Sequence, residues 1–251
     1  MKISNEQKQI NRRNIIQAAV DLTIKKGFKS ATMREIARQA GVGDATIYNY
    51  FPTKEAILFA YYDEHFSHCI ERLRGIKDFS TYALQEQLQV FFETSLELYL
   101  PDREFVSASF KTIFFSMSQQ YRQLKTIRDR FIMISKDMLE AAVEAQEIPD
   151  QVFQDVLLQL FWDYYIGIVL YWLADDSEMF TDTSVLVDKS LDLTCSLLKA
   201  GVANKLFDMA TYLFKNHVVN RMQLIKDRVD TFHYVKREFM GAINERQHTA
   251  K

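Results

Sequence analysis

Inward-suited positions recur along this chain at helical spacing. Between residues 6 and 26 they fall at Ile15, Ile16, Ala19, Val20, Leu22 and Thr23, the three-and-four rhythm of one buried helix face. Gly27 follows Lys25 and Lys26, a glycine stop behind cations that suit a helix C-terminus, and Phe28 is expected to turn inward. Thr32 and Glu35 have the spacing of a capping box, which predicts a short helix over 33–39 with Ile36 and Ala37 inside. Gly41 breaks it, Val42 is the buried residue of the turn, and a second short helix is predicted over 44–50, ended by Pro52. Thr53 can cap a longer helix over 54–74. Further helices are predicted at about 81–99, 103–117, 120–146, 150–174, 182–199 and 203–246. The last is bent or interrupted around 217–220. Pro101, Ile148-Pro149, Asp175-Asp176-Ser177 and Gly201 mark joints.

Composition agrees with this pattern. Only 7 Gly and 3 Pro punctuate 251 residues, so long helices are expected. No stretch alternates as a strand does, and no internal repeat is found; the fold class expected is all-α. With 48 % hydrophobic residues and 25 % charged the chain can build a packed core. Two cysteines, Cys69 and Cys195, are too few for a disulfide framework, which favours a reducing compartment. The polar start lacks the apolar region of a signal peptide. The most apolar stretch, 164–174, lies between Asp163 and Asp175 and is about half the roughly 20 residues a bilayer needs. It is expected to be a buried helix, in a cytoplasmic protein with no membrane partner.

The net charge of −2 conceals an asymmetry. Residues 1–55 carry ten Lys or Arg and five acids, giving +5; the remainder carries −7. A basic head on an acidic body suits a module whose head meets phosphate.

Two short helices joined by Ala40-Gly41-Val42-Gly43 have the form of a helix-turn-helix, whose second helix enters the major groove. The run Thr32-Met-Arg-Glu-Ile-Ala-Arg-Gln-Ala-Gly-Val-Gly-Asp-Ala-Thr-Ile-Tyr-Asn-Tyr-Phe-Pro-Thr-Lys-Glu55 resembles the TetR family of bacterial regulators. Ile16, Ala18, Ala19, Leu22 and Gly27-Phe28 also match that family. The resemblance covers residues 10–60. It implies an N-terminal three-helix DNA-binding domain over 1–53, a ligand-binding and dimerisation body over 54–201, and here a C-terminal helical extension over 202–251. By position it places Thr32 and Arg34 at a phosphate or groove edge. Asp44, Ala45, Thr46, Tyr48 and Asn49 fall on the recognition helix, and Tyr50 and Lys54 act as phosphate clamps. Gly43 stands where the family often has Ser, so a capping hydroxyl is missing, although Gly is an acceptable cap. Asp44 stands where a basic or small polar residue is common. It either complements the helix dipole or accepts from a cytosine amino group.

The body is rich in aromatic residues. In a body of this kind Phe92, Tyr99, Phe110, Phe114, Tyr121, Phe131, Trp162 and Tyr165 are expected to wall a largely apolar effector pocket. The resemblance also implies a homodimer. Leu160, Tyr164, Gly167, Ile168 and Tyr171 on one helix, and Leu186, Leu193 and Leu197 on the next, would pair across a two-fold axis, with two heads roughly 34 Å apart on a palindromic operator. His65, His68 and Cys69 share a helix face and are zinc-ligand types, but no second cluster completes a site, so neither metal nor cofactor is assigned. No phosphate loop, HExxH, GxSxG or Cys–His pairing with an orienting partner is found, and no catalytic residue is assigned. The expected function is a DNA-binding repressor released from a double-stranded operator by a small, largely apolar effector. Alternatives are a ligand-dependent activator, a co-repressed regulator, a helical enzyme or an interaction module.

Overall fold

In the computed structural model residues 4–114 and 121–215 are described, without the side chains at 111, 112, 114, 121–123 and 203. The chain falls into two compact units. One is Met1–Asp150 with Gln154–Ala200; the other is Gln151–Phe153 with Gly201–Lys251. Among the described residues all regular structure is helical.

In the first unit α1 spans Asn5–Lys26, and Ser4 accepts from the Gln7 amide at its start. It ends where Gly27 adopts φ +82° and returns its amide to the Thr23 carbonyl, a conformation that L side chains resist. Helix α2 spans Met33–Gln39, and the capping box forms as expected: the Glu35 amide reaches Thr32 Oγ1 at 3.3 Å while Glu35 Oε2 accepts from the Thr32 amide at 3.1 Å. Gly41, at φ +72°, reverses the chain. The next element is shorter than predicted: residues 44–46 form turns, and only Ile47–Asn49 is helical, as a single 3-10 turn. The bonds Thr46 to Gly43, Asn49 to Thr46 and Tyr50 to Ile47 are of the tight i→i+3 kind, and they are mixed with two i→i+4 bonds, Ile47 to Gly43 and Phe51 to Ile47. With no side-chain cap at its start and Pro52 just past its end, this segment does not reach the length at which α-helical bonding propagates. Ile15, Ile16, Ala19, Ile36, Ile47 and Phe51 close a small apolar core.

Helix α3, Lys54–Arg74, starts on Thr53, whose hydroxyl accepts from the Ala56 amide. It packs against α1 and also against α4 (Leu84–Tyr99) and α6 (Tyr121–Glu144), so one helix spans head and body. Helix α5, Arg103–Phe114, meets α1, α3 and α7 (Gln154–Ala174); α8 (Thr181–Lys199) packs on α4 and α7. The last carbonyls of α7 are gathered by Arg103, whose Nη2 donates to Trp172, Leu173 and Asp175 at 3.0–3.1 Å. That guanidinium supplies the donors a helix C-terminus lacks. Helix α7 is long and apolar enough to cross a bilayer by composition, yet Leu158, Phe161, Tyr165, Ile168, Val169 and Trp172 are buried in the body core.

In the second unit α9, Val202–Leu213, follows Gly201 at φ +64°. The Phe153 and Phe207 rings lie 4.7 Å apart, and the Val152 amide donates to Asn204 Oδ1 at 3.2 Å. The predicted bend at 217–220 and the remainder of the extension lie outside the described residues.

Candidate functional site

The head presents one polar surface built from α2 and the segment after it. Arg34, Gly43, Asp44, Ala45, Tyr48 and Asn49 are exposed, Thr46 and Tyr50 are half-buried, and Ile47 between them is fully buried. Ile47 is the anchor that turns its neighbours outward. Tyr50 is fixed by Asn11 on α1, whose amide nitrogen donates to the phenol oxygen at 3.0 Å. That bond leaves the Tyr50 O–H proton free for an external acceptor such as a phosphate oxygen. Sequence reasoning missed Asn11, because nothing in a polar helix position announces a partner 39 residues away.

Two residues expected at phosphate or a groove edge have their polar groups engaged within the head. Lys54 does not hold its ammonium outward: Nζ donates to the carbonyls of Phe28 and Ala31, the latter at 2.7 Å, approaches that of Lys29 at 3.4 Å, and sits 4.4 Å from the centre of the Phe28 ring. All three of its donors face the loop that joins α1 to α2, so Lys54 is a staple of the head. Thr32 is similarly engaged. Its hydroxyl donates to Glu35 Oε2 at 2.7 Å and accepts from the Glu35 amide, so its only proton is committed to the cap. Asp44 Oδ2 lies 2.9 Å from Arg34 Nε. Lys26 reaches Glu35 at 2.5 Å; this lysine and then the Thr32 bonds pull the Glu35 carboxyl down to about 2.

The head is tied to α3 by an ion pair between Arg12 and Glu64, and Arg12 also lies over the Phe51 ring. The adjacent Asp63 faces the other way and takes Arg130 of α6 at 2.5 Å, with Ser67 accepting from the same guanidinium at 3.0 Å. Two neighbouring carboxylates on α3 therefore connect the head on one side and the body on the other.

Inside the body the expected pocket residues are packed core. Phe92, Tyr99, Phe110, Phe131 and Tyr165 are fully buried and Trp162 nearly so. Phe131 touches Phe92, Trp162 and Tyr165 with ring centres 6.3, 5.4 and 5.0 Å apart. Among the described residues these rings pack against one another between their helices. The Phe114 and Tyr121 side chains lie outside the described residues. An open cleft of about 430 Å³ lies elsewhere, between α3, α4 and α6, lined by Ile70, Leu73, Phe79, Met133 and Met138 with Arg74 and Asp137 among its polar groups. A hydrogen-bonded chain crosses the aromatic core. Tyr165 meets Ser95 at 2.7 Å, Ser95 meets His65 Nε2 at 2.7 Å, and the His65 ring stacks on Tyr99 at 3.6 Å. Burial, followed by the charge of His68, pushes the His65 imidazole down to about 3, so it is neutral in the folded protein. Burial likewise pushes the Cys69 thiol up to about 12.

Helices α7 and α8 carry an outward apolar stripe. Leu160, Tyr171, Leu193 and Leu197 are exposed, Gly167 is open with nothing near it, and Tyr164 and Leu186 are half-buried. Ile168 is the exception among the expected interface residues: it is buried within its own chain, since its position on α7 turns it to the core.

A small helical head with a helix-turn-helix, borne on a helical body with a shared connecting helix, defines a DNA-binding transcriptional regulator. Residues 15–61 match the family described as bacterial regulatory proteins, tetR family, and residues 87–213 match the tetracyclin repressor-like C-terminal domain. The chain belongs to the TetR family. It is 26 % identical over 201 residues to the fatty acid metabolism regulator protein of Bacillus subtilis (strain 168), covering 80 % of this chain and 100 % of that one. The crystal structure of the transcriptional regulator FadR from Bacillus subtilis in complex with stearoyl-CoA superposes with a TM-score of 0.60 at 25 % identity, over 75 % of this chain and 98 % of that one. Thermus thermophilus FadR, solved with lauroyl-CoA, shares the fold with a TM-score of 0.54 at 21 % identity, over 72 % and 92 %.

Proposed function

We propose that this protein is a homodimeric, cytoplasmic repressor without enzymatic activity, released from a palindromic operator by a long-chain acyl-CoA. The observation that carries the ligand is the likeness along the full length of the fatty acid metabolism regulator, together with the fold match to the stearoyl-CoA complex. The body chemistry supports it. An acyl chain suits a body whose interior is aromatic and aliphatic, and the α3–α4–α6 cleft offers an apolar starting point with Arg74 beside it for an anionic group. The exposed stripe of α7 and α8 supports the dimer, because a contiguous apolar face of this kind marks an association surface. Functionally the head is taken as residues 1–53, the body as 54–201 and the extension as 202–251.

Release then follows as a population shift. The described aromatic rings pack directly against one another, and on this reading an acyl chain binds an arrangement in which α6 and α4 have moved apart. Arg130 on α6 draws on Asp63, and Glu64 beside it holds Arg12 of the head. A ligand with differential affinity for the opened body changes head placement through α3. Operator affinity is measured by fluorescence anisotropy with stearoyl-CoA, with free CoA and without ligand. A drop of about tenfold or more with stearoyl-CoA alone is expected. Equal affinities in all three conditions refute the ligand reading, and binding to no duplex at any salt concentration refutes the operator reading.

A further inference from the structure

Arg34 lies in the first turn of α2 and Asp44 opens the recognition segment; the chain reversal at Gly41 brings them together. Their closest approach is Nε to Oδ2 at 2.9 Å, and the side chains are 86 % and 56 % exposed. A pair so exposed contributes little to holding the fold. Its effect is geometric. A carboxylate on Nε restrains the plane of a long, flexible side chain and leaves the far edge of the guanidinium, with one N–H from each terminal amine, for a second partner. Among the described residues neither amine has a hydrogen-bond partner. Those amines are the fork that matches O6 and N7 on the major-groove edge of guanine.

Charge supports the same arrangement. A lone carboxylate on a surface that meets DNA would be repelled by phosphate, whereas Asp44 beside Arg34 is neutralised. Lys54 and Thr32 are engaged within the head, whereas Arg34 is an exposed cation held at the start of the segment that carries exposed Ala45, Tyr48 and Asn49. We infer that Asp44 is a positioning residue that presents Arg34 as a bidentate reader of one guanine in each operator half-site, and that Asp44 does not itself read cytosine. The inference rests on the DNA-binding role of the head and adds which base it distinguishes.

The test begins with the full-length protein selecting sites from a random duplex library. Anisotropy titrations on single-base variants of the selected site follow for R34A, R34K, D44A, D44N and the R34A/D44A double variant. The unaltered protein is expected to prefer guanine at one position per half-site by about tenfold or more. R34A and R34K lose that preference, because the lysine charge has no fork. D44A loses most of it at the same position, and D44N retains part of it because its amide oxygen still accepts from Nε. The double variant is no worse than R34A alone. A change of preference at a different position in D44A, additive with R34A, makes Asp44 an independent reader and overturns the inference. So does an unchanged preference in D44A, or uniformly tighter binding to all sequences with a steeper salt dependence. A protein that selects no site at all fails the DNA-binding reading instead. Thermal melts of the variants are expected to match the unaltered protein, which separates readout from folding.

Discussion

Replacing Lys54 with Met decides between a staple and a phosphate clamp. Methionine keeps the apolar stem but removes an ammonium that donates to the Phe28 and Ala31 carbonyls and lies 4.4 Å from the Phe28 ring centre. Hydrogen bonds from a charged donor contribute about 1.5–3 kcal/mol, and a half-exposed cation–π contact about 0.5–1 kcal/mol. The carbonyls left behind are near the surface and regain water, so the net cost is about 2 kcal/mol. For a chain of this size that corresponds to a fall in melting temperature of about 4–8 °C. Urea titration followed by circular dichroism measures the loss, and operator affinity against salt concentration measures the phosphate role. A side chain bonded to phosphate takes about one unit per head, and so about two for a dimer, from the slope of log affinity against log salt when it is removed; a staple leaves the slope unchanged while affinity falls because the loop before α2 loosens. An intact stability with a slope reduced by about two for the dimer refutes the assignment made from the carbonyl contacts.

Three further outcomes are expected. Phe131→Ala removes a fully buried ring that touches Phe66, Phe91, Phe92, Trp162 and Tyr165, and calorimetry should show a loss of about 3–5 kcal/mol, whereas a loss below about 1 kcal/mol would mean these rings border open space. Glu35, lowered from 4.5 to about 2 by Lys26 and the Thr32 bonds, stabilises the fold in its ionised form. That contribution is present above pH 4.5 and disappears as pH falls towards 2. Glu35→Gln keeps cap geometry without charge, so its stability deficit against the unaltered protein should close over that interval; a deficit constant with pH excludes the charge as its source. Leu160→Glu and Leu193→Glu alter side chains that are 54 % and 60 % exposed, so the chain should stay helical while sedimentation shows monomers. A folded dimer in both variants would place the interface elsewhere.

Much of the head is legible in residues that lie close together along the chain. The Gly27 stop, the Thr32–Glu35 box and the Thr53 cap are bonds between positions three or four apart, and a motif of local bonds is visible in a string of letters. The alternation of turns and short helices also carried the family resemblance, which the matches over 15–61 and 87–213 establish. The recognition segment departed from expectation because its residues suit a helix while its missing cap and Pro52 leave too few bonds to complete one.

Long-range placement belonged to the tertiary structure. Lys54 is 23 residues from the Ala31 carbonyl it holds, Tyr165 is 70 from Ser95, and Asp44 meets Arg34 only because Gly41 reverses the chain. Helix α7 shows the reason most clearly. It is apolar on nearly every side, so periodicity could not assign Ile168 to the core and Leu160 to the surface. Hydrophobic burial has no direction of its own. Whether an aromatic ring packs, lines a pocket or meets a partner depends on the distance between helices, which the spacing of residues along one helix does not contain. The sequence alone determined an all-helical TetR-type regulator with a DNA-binding head; the packing of its helices decided which side chains of the head are exposed, which close the core and which remain outward on the body.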